Sequence, residues 1–250
     1  MKLLLVNDDG FWAPGMAALK ESVKDHGDIT IIAPHQERSA TSQAITVHHP
    51  LRLTEVNGDY VLDGTPADCV KMALQGLGLK PDYVLSGINL GSNLGTDVLY
   101  SGTVAAALEA VLLGTPAVAF SLAGSAEFMP TATKIVQELL FEEPGILTTR
   151  DLIRPDIVLN VNIPALPLDQ IKGVRLTRLG VRKYEGVLLH QRKDPRGGSY
   201  YWMGGHPVSA EGQGADIDLV AVEQGYVSIT PLQFDLTCRE ELTRLESFFA

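Results

Sequence analysis

Cysteine is scarce in this chain. Cys69 and Cys238 are the only two, and they form no CxxC pair. A disulfide framework is therefore excluded, and a reducing cytosol is the expected compartment. Positive charge is in deficit: 30 acidic against 20 basic residues leave a formal net charge of -10. That argues against a nucleic-acid polymer as partner, which would require clustered Lys and Arg. It does not exclude a small anionic substrate, because a bound metal inverts the local field. No apolar run reaches the length of a membrane span. The opening Met1 to Val6 imitates a signal peptide, but the run is short and acids follow at once.

Several catalytic signatures are missing as well. There is no Gly-Lys-Ser/Thr ending of a Walker A loop, and no G-x-G-x-x-G after the first apolar run. A G-x-S-x-G elbow is absent, which removes the serine-hydrolase argument. The six histidines make no H-x-x-x-H or H-E-x-x-H pair on an expected helix. His48 and His49, placed on a strand, would alternate faces. A structural zinc is thereby disfavoured.

What is present begins at Leu3-Leu4-Leu5-Val6-Asn7-Asp8-Asp9-Gly10. A short apolar run bounded by turn residues reads as a buried strand of a parallel sheet. Asp8 and Asp9 then sit at its carboxyl end, where open α/β sheets bind ligands. Adjacent like charges repel, so a cation or a set of donors must balance them. A hard divalent ion, Mg²⁺ or Mn²⁺, suits clustered oxygen ligands. A helix cap plus a solvated turn acid is the plainer alternative.

A helix is expected over Met16 to Lys24, with Met16, Leu19 and Val23 on one side and Gly27 ending it, then a strand over Ile29 to Pro34. His35 to Pro50 is a long polar loop, a length more often functional than incidental. Leu51 to Val56 and Tyr60 to Leu62 flank Asn57-Gly58, a hairpin signal. Thr65 and Pro66 open a helix as N-cap and first residue. Tyr83 to Leu85 is a short strand emptying into a loop, Ser86 to Gly95. Ser101-Gly102-Thr103 opens an alanine-rich helix, Pro116 to Ser121 is a strand, and a helix covers Ala132 to Phe141. Ile157 to Pro164 reads as the last clear core strand. This alternation predicts an α/β fold, a Rossmann-like doubly wound and mostly parallel sheet.

Residues 1–172 form the expected catalytic core. Residues 173–250 form a C-terminal antiparallel arm or hairpin and a terminal helix, not an independent domain. Val174 to Thr177 and Tyr184 to Leu189 look like antiparallel strands. Asp194 to Gly198 is a turn before Tyr200-Tyr201-Trp202, aromatics on both faces of an extended segment. That is too many for a solvated hairpin, so a contact between protomers is expected there. A helical segment follows over Asp218 to Glu223, a short strand over Tyr226 to Pro231, and a helix over Arg239 to Phe249.

The Asp8-Asp9 pair, the loop bearing Ser39, the Ser86 to Gly95 loop and the Ser101-Gly102-Thr103 turn all fall at or after strand carboxyl ends. The fold logic converges them on one edge. The Ser86 to Gly95 loop carries glycines 87, 91 and 95 and asparagines 89 and 93. Glycine admits positive φ or close backbone approach, and asparagine offers a neutral oxygen ligand and two donors. Ser101 to Thr103 at a helix start suits an anion, although a simple N-cap would look the same.

The segments NDDG, ERSATSQ, GTPADCV, SGINLGSNLGTDVLYSGTVAAALEA, LNVNIP, DPRGGSYYW and GYVSITPL, in this order along the chain, resemble the SurE family of survival-protein nucleotidases. The resemblance implies a metal-dependent phosphomonoesterase, a 5′-nucleotidase hydrolysing nucleoside monophosphates to nucleoside and phosphate. It leaves 3′-nucleotidase and exopolyphosphatase activity open. One divalent ion per subunit, Mg²⁺ or Mn²⁺, is implied on Asp8, Asp9, Ser39 and Asn89. Asn93, Ser101, Gly102 and Thr103 would bind phosphate, with Ser42 and Gln43 as weaker substrate candidates. A swapped arm and a homodimer or homotetramer are implied too. The tail after Gly204 departs from the pattern.

On this reading Asp8 or Asp9 orients or deprotonates a metal-activated water that attacks the phosphoryl group. A covalent aspartyl-phosphate on Asp8 is permitted by the adjacent acids, but the ligand role implied for Asp8 argues against it. The alternative from another class is a noncatalytic nucleotide-binding sensor on the same sheet. Two carboxylates aimed at an anion site count against it. A dinucleotide oxidoreductase lacks its glycine fingerprint.

Overall fold

The computed structural model describes residues 1–149, 152–208, 210 and 213–249, without the side chains of 187–189 and 203. In chain order its elements are β1 (Lys2–Val6), α1 (Pro14–Val23), β2 (Asp28–Pro34), β3 (Leu53–Val56), β4 (Asp59–Leu62) and α2 (Pro66–Lys71). Then come β5 (Tyr83–Leu90), α3 (Gly102–Leu112), β6 (Ala117–Ala123), α4 (Met129–Phe141), β7 (Val158–Pro164) and β8 (Val174–Leu176). The chain finishes with β9 (Tyr184–Lys193), β10 (Ser199–Pro207), α5 (Asp218–Glu223), β11 (Val227–Leu232) and α6 (Arg239–Phe249).

Strand side chains alternate between faces, and β1 shows what that does here. Leu3 and Leu5 pack on one face with Met16, Leu19 and Val23 of α1 and Ile135 and Val136 of α4. Leu4 and Val6 pack on the other with Val70 of α2 and Val104 and Ala107 of α3. Helices on both faces are why the run is apolar at every position. Each such side chain contributes about 1.5–3 kcal/mol by burial. The Asn57-Gly58 turn has φ of 53° and 86°, the left-handed pair a two-residue hairpin needs.

The nine-stranded sheet runs β3-β4-β2-β1-β5-β6-β7-β11-β8. Its pairs are parallel except β3–β4 and β7–β11. From β1 the chain leaves to β2 on one side, while β5 lies on the other. Connections diverge at that point, so a crevice opens above the carboxyl ends of β1 and β5. Pairing of Val6 with Ser86 sets those ends level.

Four readings need correction. Tyr83 to Leu85 is not a short strand, because β5 continues to Leu90. Its register against β6 shifts between Ser86 and Asn89. Gly87 sits in that bulge at φ +132°, where a Cβ would lie 2.3 Å from the Phe120 carbonyl oxygen. The glycine read as a loop signal is a bulge residue within a strand. Secondly, Val174 to Leu176 pairs parallel with β11, while β9 pairs antiparallel with β10. Thirdly, β11 lies inside the sheet between β7 and β8, so β7 is not its last strand. Lastly, His48 and His49 are exposed in an irregular segment, not on a strand. Among the described residues no helix is long and apolar enough to cross a membrane.

Candidate active site at the carboxyl ends of β1 and β5

Asn7 builds the turn that follows β1. Its amide Nδ2 donates to the Gly10 carbonyl at 2.9 Å, and its Oδ1 accepts from the Gly10 amide at 3.2 Å. Gly10 has φ +107°, which this closed turn requires. Asp8 and Asp9 are thereby presented from a turn pinned at both ends. Asn7 was missed in the sequence reading, although an asparagine three residues before a glycine is a turn signal.

Asp8 is buried, and its Oδ1 accepts from the Thr103 hydroxyl at 2.6 Å. The N-terminus of α3 comes this close because residue 102 has no side chain. A Cβ there would meet Asp8 Cβ at 2.8 Å and Asp8 Oδ2 at 3.0 Å. Ser101 caps the helix by accepting from the Val104 amide at 3.1 Å. Ser86 Oγ, another residue given no role from sequence, donates to the Thr103 carbonyl at 2.8 Å and ties α3 to β5.

Burial raises the Asp8 pKa above the carboxylate norm. The Thr103 hydroxyl and amide offset part of that, and the Glu37 charge adds to it. Asp9 is pushed up to about 6, first by burial, then by the charges of Asp8 and Glu37, with the Leu90 amide partly opposing. The hydrogen bonds at the helix terminus therefore do not offset burial and mutual repulsion. Among the described residues no Lys, Arg or His forms an ion pair with Asp8, Asp9 or Glu37.

The segments bearing Ser39 and Asn89 meet the β1 turn through their backbones. The Arg38 amide donates to the Asp8 carbonyl at 2.7 Å, which brings the Ser39 loop against the β1 turn. Ser39 Oγ donates to Glu37 Oε1 at 2.9 Å. The Leu90 amide lies 3.5 Å from Asp9 Oδ2, placing the end of β5 beside the second acid. Asn89 donates through Nδ2 to the Gly91 carbonyl at 2.8 Å. Among the described residues its Oδ1 has no hydrogen-bond partner. Oxygens of Asp8, Asp9, Ser39 and Asn89 are hard donors, of the kind that suits Mg²⁺ or Mn²⁺. Among the described residues there is no cluster of three or more His, Cys, Asp or Glu that could hold a metal, so hydroxyl and amide oxygens would have to complete it.

Asn93 is buried and held from the core strands. Its amide N–H donates to Asn162 Oδ1 at 2.8 Å, and its carbonyl accepts from Asn160 and Asn162 at 2.9 and 3.0 Å. Its Nδ2 donates to Ser121 Oγ at 2.8 Å, leaving one amide hydrogen for another acceptor. The asparagines of LNVNIP alternate within an apolar strand, which was the available signal for this support. Ser42 Oγ donates to the Leu99 carbonyl at 2.7 Å. With Gln43, Ser101, Val104 and Phe234 it lines a cavity of about 240 Å³.

A doubly wound sheet with an oxygen-rich acidic crevice at its switch point defines a Rossmann-like α/β protein built to bind a ligand there. The family model described as "Survival protein SurE" matches residues 3–186. The protein named 5'-nucleotidase SurE of Carboxydothermus hydrogenoformans is 49% identical over 261 residues, covering 99% of this chain and 96% of its own. The protein of that name from Vibrio cholerae is 45% identical, over 98% of this chain and 96% of its own. The crystal structure of the SurE protein from Aquifex aeolicus superposes with a TM-score of 0.85 at 37% identity, covering 100% of both chains. This chain belongs to the SurE family.

Proposed function

We propose that the chain is a metal-dependent 5′-nucleotidase, a phosphomonoesterase that hydrolyses nucleoside monophosphates to nucleoside and phosphate. The carrying observation is the pair of buried Asp8 and half-buried Asp9, crowded by Glu37 and lacking a cationic partner among the described residues, with Asp8 at the N-terminus of α3. Asp8, Asp9, Ser39 and Asn89 would hold one Mg²⁺ or Mn²⁺ ion. Such an ion polarises phosphoryl oxygens and acidifies water.

The chain's own groups do the rest. Thr103 occupies Oδ1 of Asp8 and so fixes the orientation of that carboxylate, leaving Oδ2 to the crevice. Asp8 or Asp9 would orient the attacking water or take its proton while also holding the ion. The remaining amide hydrogen of Asn93 and the Gly102 amide at the start of α3 would offset charge on the phosphoryl oxygens, the Thr103 and Val104 amides being engaged by Asp8 and Ser101. Water attack is preferred to an aspartyl-phosphate because Asp8 is committed to the ion and to Thr103.

Support for self-association, as a homodimer or homotetramer through the arm, comes from the exposed Tyr200, Tyr201 and Trp202 on β10. A core over 1–172 with a dependent tail over 173–250 remains our division, and β8 and β11 sit in the core's sheet as such dependence requires. The free thiols of Cys69 and Cys238 are in keeping with a cytosolic setting.

The test is phosphate release from a nucleoside 5′-monophosphate, with chelator and after Mg²⁺ or Mn²⁺ is restored. Release abolished by chelator and recovered with metal is expected. Binding without release would favour the noncatalytic sensor, and chelator-resistant release would remove the metal.

A further inference from the structure

We infer that Arg182, at the root of the arm, is a positioning residue for the Ser92–Asp97 turn that presents Asn93; the inference rests on the phosphatase reading above. Arg182 follows β8 and precedes β9, more than eighty positions from that turn in sequence. Its Nη1 donates to Ser92 Oγ at 3.1 Å, at the start of the turn. Its Nε lies 3.2 Å from Asp97 Oδ2, at the end, an ion pair out of line for a hydrogen bond, and both side chains are largely buried. Between those points its backbone brackets the Thr96 hydroxyl, which donates to the Arg182 carbonyl and accepts from the Arg182 amide, each at 3.3 Å. One hydroxyl can do both at once.

Neighbouring groups complete the clamp. Tyr184 donates its hydroxyl to Asp97 Oδ2 at 2.5 Å. Buried Asp218 accepts from the Gly95 amide at 2.7 Å and the Gly180 amide at 2.9 Å. Gly95 has φ +54°, and a Cβ on it would lie 2.7 Å from the Gly180 carbonyl oxygen, so turn and tail touch through backbone.

Among the described residues the core strands hold this turn at Asn93, through Asn160, Asn162 and Ser121, and just before it by the Gly91 amide on the Leu122 carbonyl. The tail holds Ser92 and the Gly95 to Asp97 end. Asn93 is fixed from the sheet, and a guanidinium beside both Ser92 and Asp97 ties the residues on either side of it. Lysine cannot do this, because it offers one charge centre in place of a planar fork. Loosening the turn should weaken the fixed hold of Asn93 on phosphate while sparing the acids, which hang from β1.

The experiment uses the full chain with Arg182→Ala, Arg182→Lys, Ser92→Ala and Arg182→Ala combined with Ser92→Ala. Amide hydrogen exchange across 92–97 is read on the metal-free protein. Inhibition by inorganic phosphate, KM for a nucleoside monophosphate and Mn²⁺ affinity are read alongside. For Arg182→Ala, exchange in the turn should rise, and both KM and the phosphate inhibition constant should rise by about tenfold, with Mn²⁺ affinity held within about twofold. Arg182→Lys should fall between, and Ser92→Ala should add little to Arg182→Ala. Wild-type exchange and phosphate inhibition in Arg182→Ala would overturn the inference. So would Mn²⁺ affinity falling in step with phosphate affinity, or an additive double variant. If Arg182→Ala does not fold, Tyr184→Phe, which removes one hydrogen bond to Asp97 from an exposed residue, should raise exchange in the same turn, and no rise would count against the clamp. Should the wild type release no phosphate at all, the phosphatase reading fails, while the exchange measurement still decides what Arg182 does.

Discussion

At the carboxyl edge of the sheet, polar side chains are buried and most of them are hydrogen-bonded, Asn160 Oδ1 being an exception; in the described part of the β9–β10 hairpin and in α6, large apolar side chains are exposed. Asn7, Asp8, Ser86, Asn93, Thr103, Asn160 and Asn162 are all buried around the β1–β5 crevice. By contrast Trp202 is 66% exposed and Phe248 71%, and α6 buries none of its residues. Burying polar groups costs stability unless they are satisfied, so a chain keeps such a network where chemistry needs fixed geometry. Leaving aromatics in water is equally unfavourable unless another surface covers them. On the proposed reading the two regions serve different partners: a small anion with its cation at the edge, and a protein surface at the arm.

Breaking the edge should give the largest effects. Asp8→Asn and Asp9→Asn each keep side-chain size and remove one charge. Turnover should fall by about a hundredfold or more in each, measured as phosphate release at saturating substrate. Folding should be unharmed or improved, read as an unchanged or higher unfolding midpoint, because the acids repel each other and are desolvated. Gly102→Ala comes next. At a helix start this change ordinarily stabilises by about 0.5–1 kcal/mol. Here the new methyl would sit 2.8 Å from Asp8 Cβ and 3.2 Å from Pro66 Cγ, so stability and turnover should both fall, turnover by about tenfold. A stabilised, fully active Gly102→Ala would mean that α3 does not position Asp8.

The arm should respond in assembly and not in chemistry. Tyr201→Ser with Trp202→Ser should shift light scattering toward monomer and change chain stability by about 0.5 kcal/mol or less, since both side chains are exposed within the chain. Unaltered mass would leave these aromatics without a partner surface. Ending the chain at Cys238 should do least: about 2 °C or less in the unfolding midpoint of the dilute protein, because α6 has no buried residue. A larger drop would show that α6 packs against its own chain.

The contrast also marks what could be read in the sequence. Leu3 to Val6, Asn57-Gly58 and Thr65-Pro66 carry local signals of strand, hairpin and helix start, and each element forms where those residues stand. Asp68 even completes a capping box with Thr65. The extent of β5 was hidden because Gly87, Asn89 and Gly91 share turn chemistry with the bulge that the strand contains. The place of β8 and β11 was hidden because their pairing joins positions some fifty residues apart, and strand pairing of that range leaves no local mark. In the site, the acids were visible because like charges side by side demand an explanation. The supports of the α3 start and of the Asn93 turn were not: Ser86, Arg182 and Asp218 contact partners that only the fold brings near.

The account stands on a cation between the carboxylates after β1. Anomalous diffraction from crystals soaked in Mn²⁺ tests it directly. A single strong peak per chain is expected, within coordination distance of Asp8, Asp9, Ser39 and Asn89 oxygens. A peak bound elsewhere, with the Asp8–Asp9 crevice bare at saturating Mn²⁺, would contradict it.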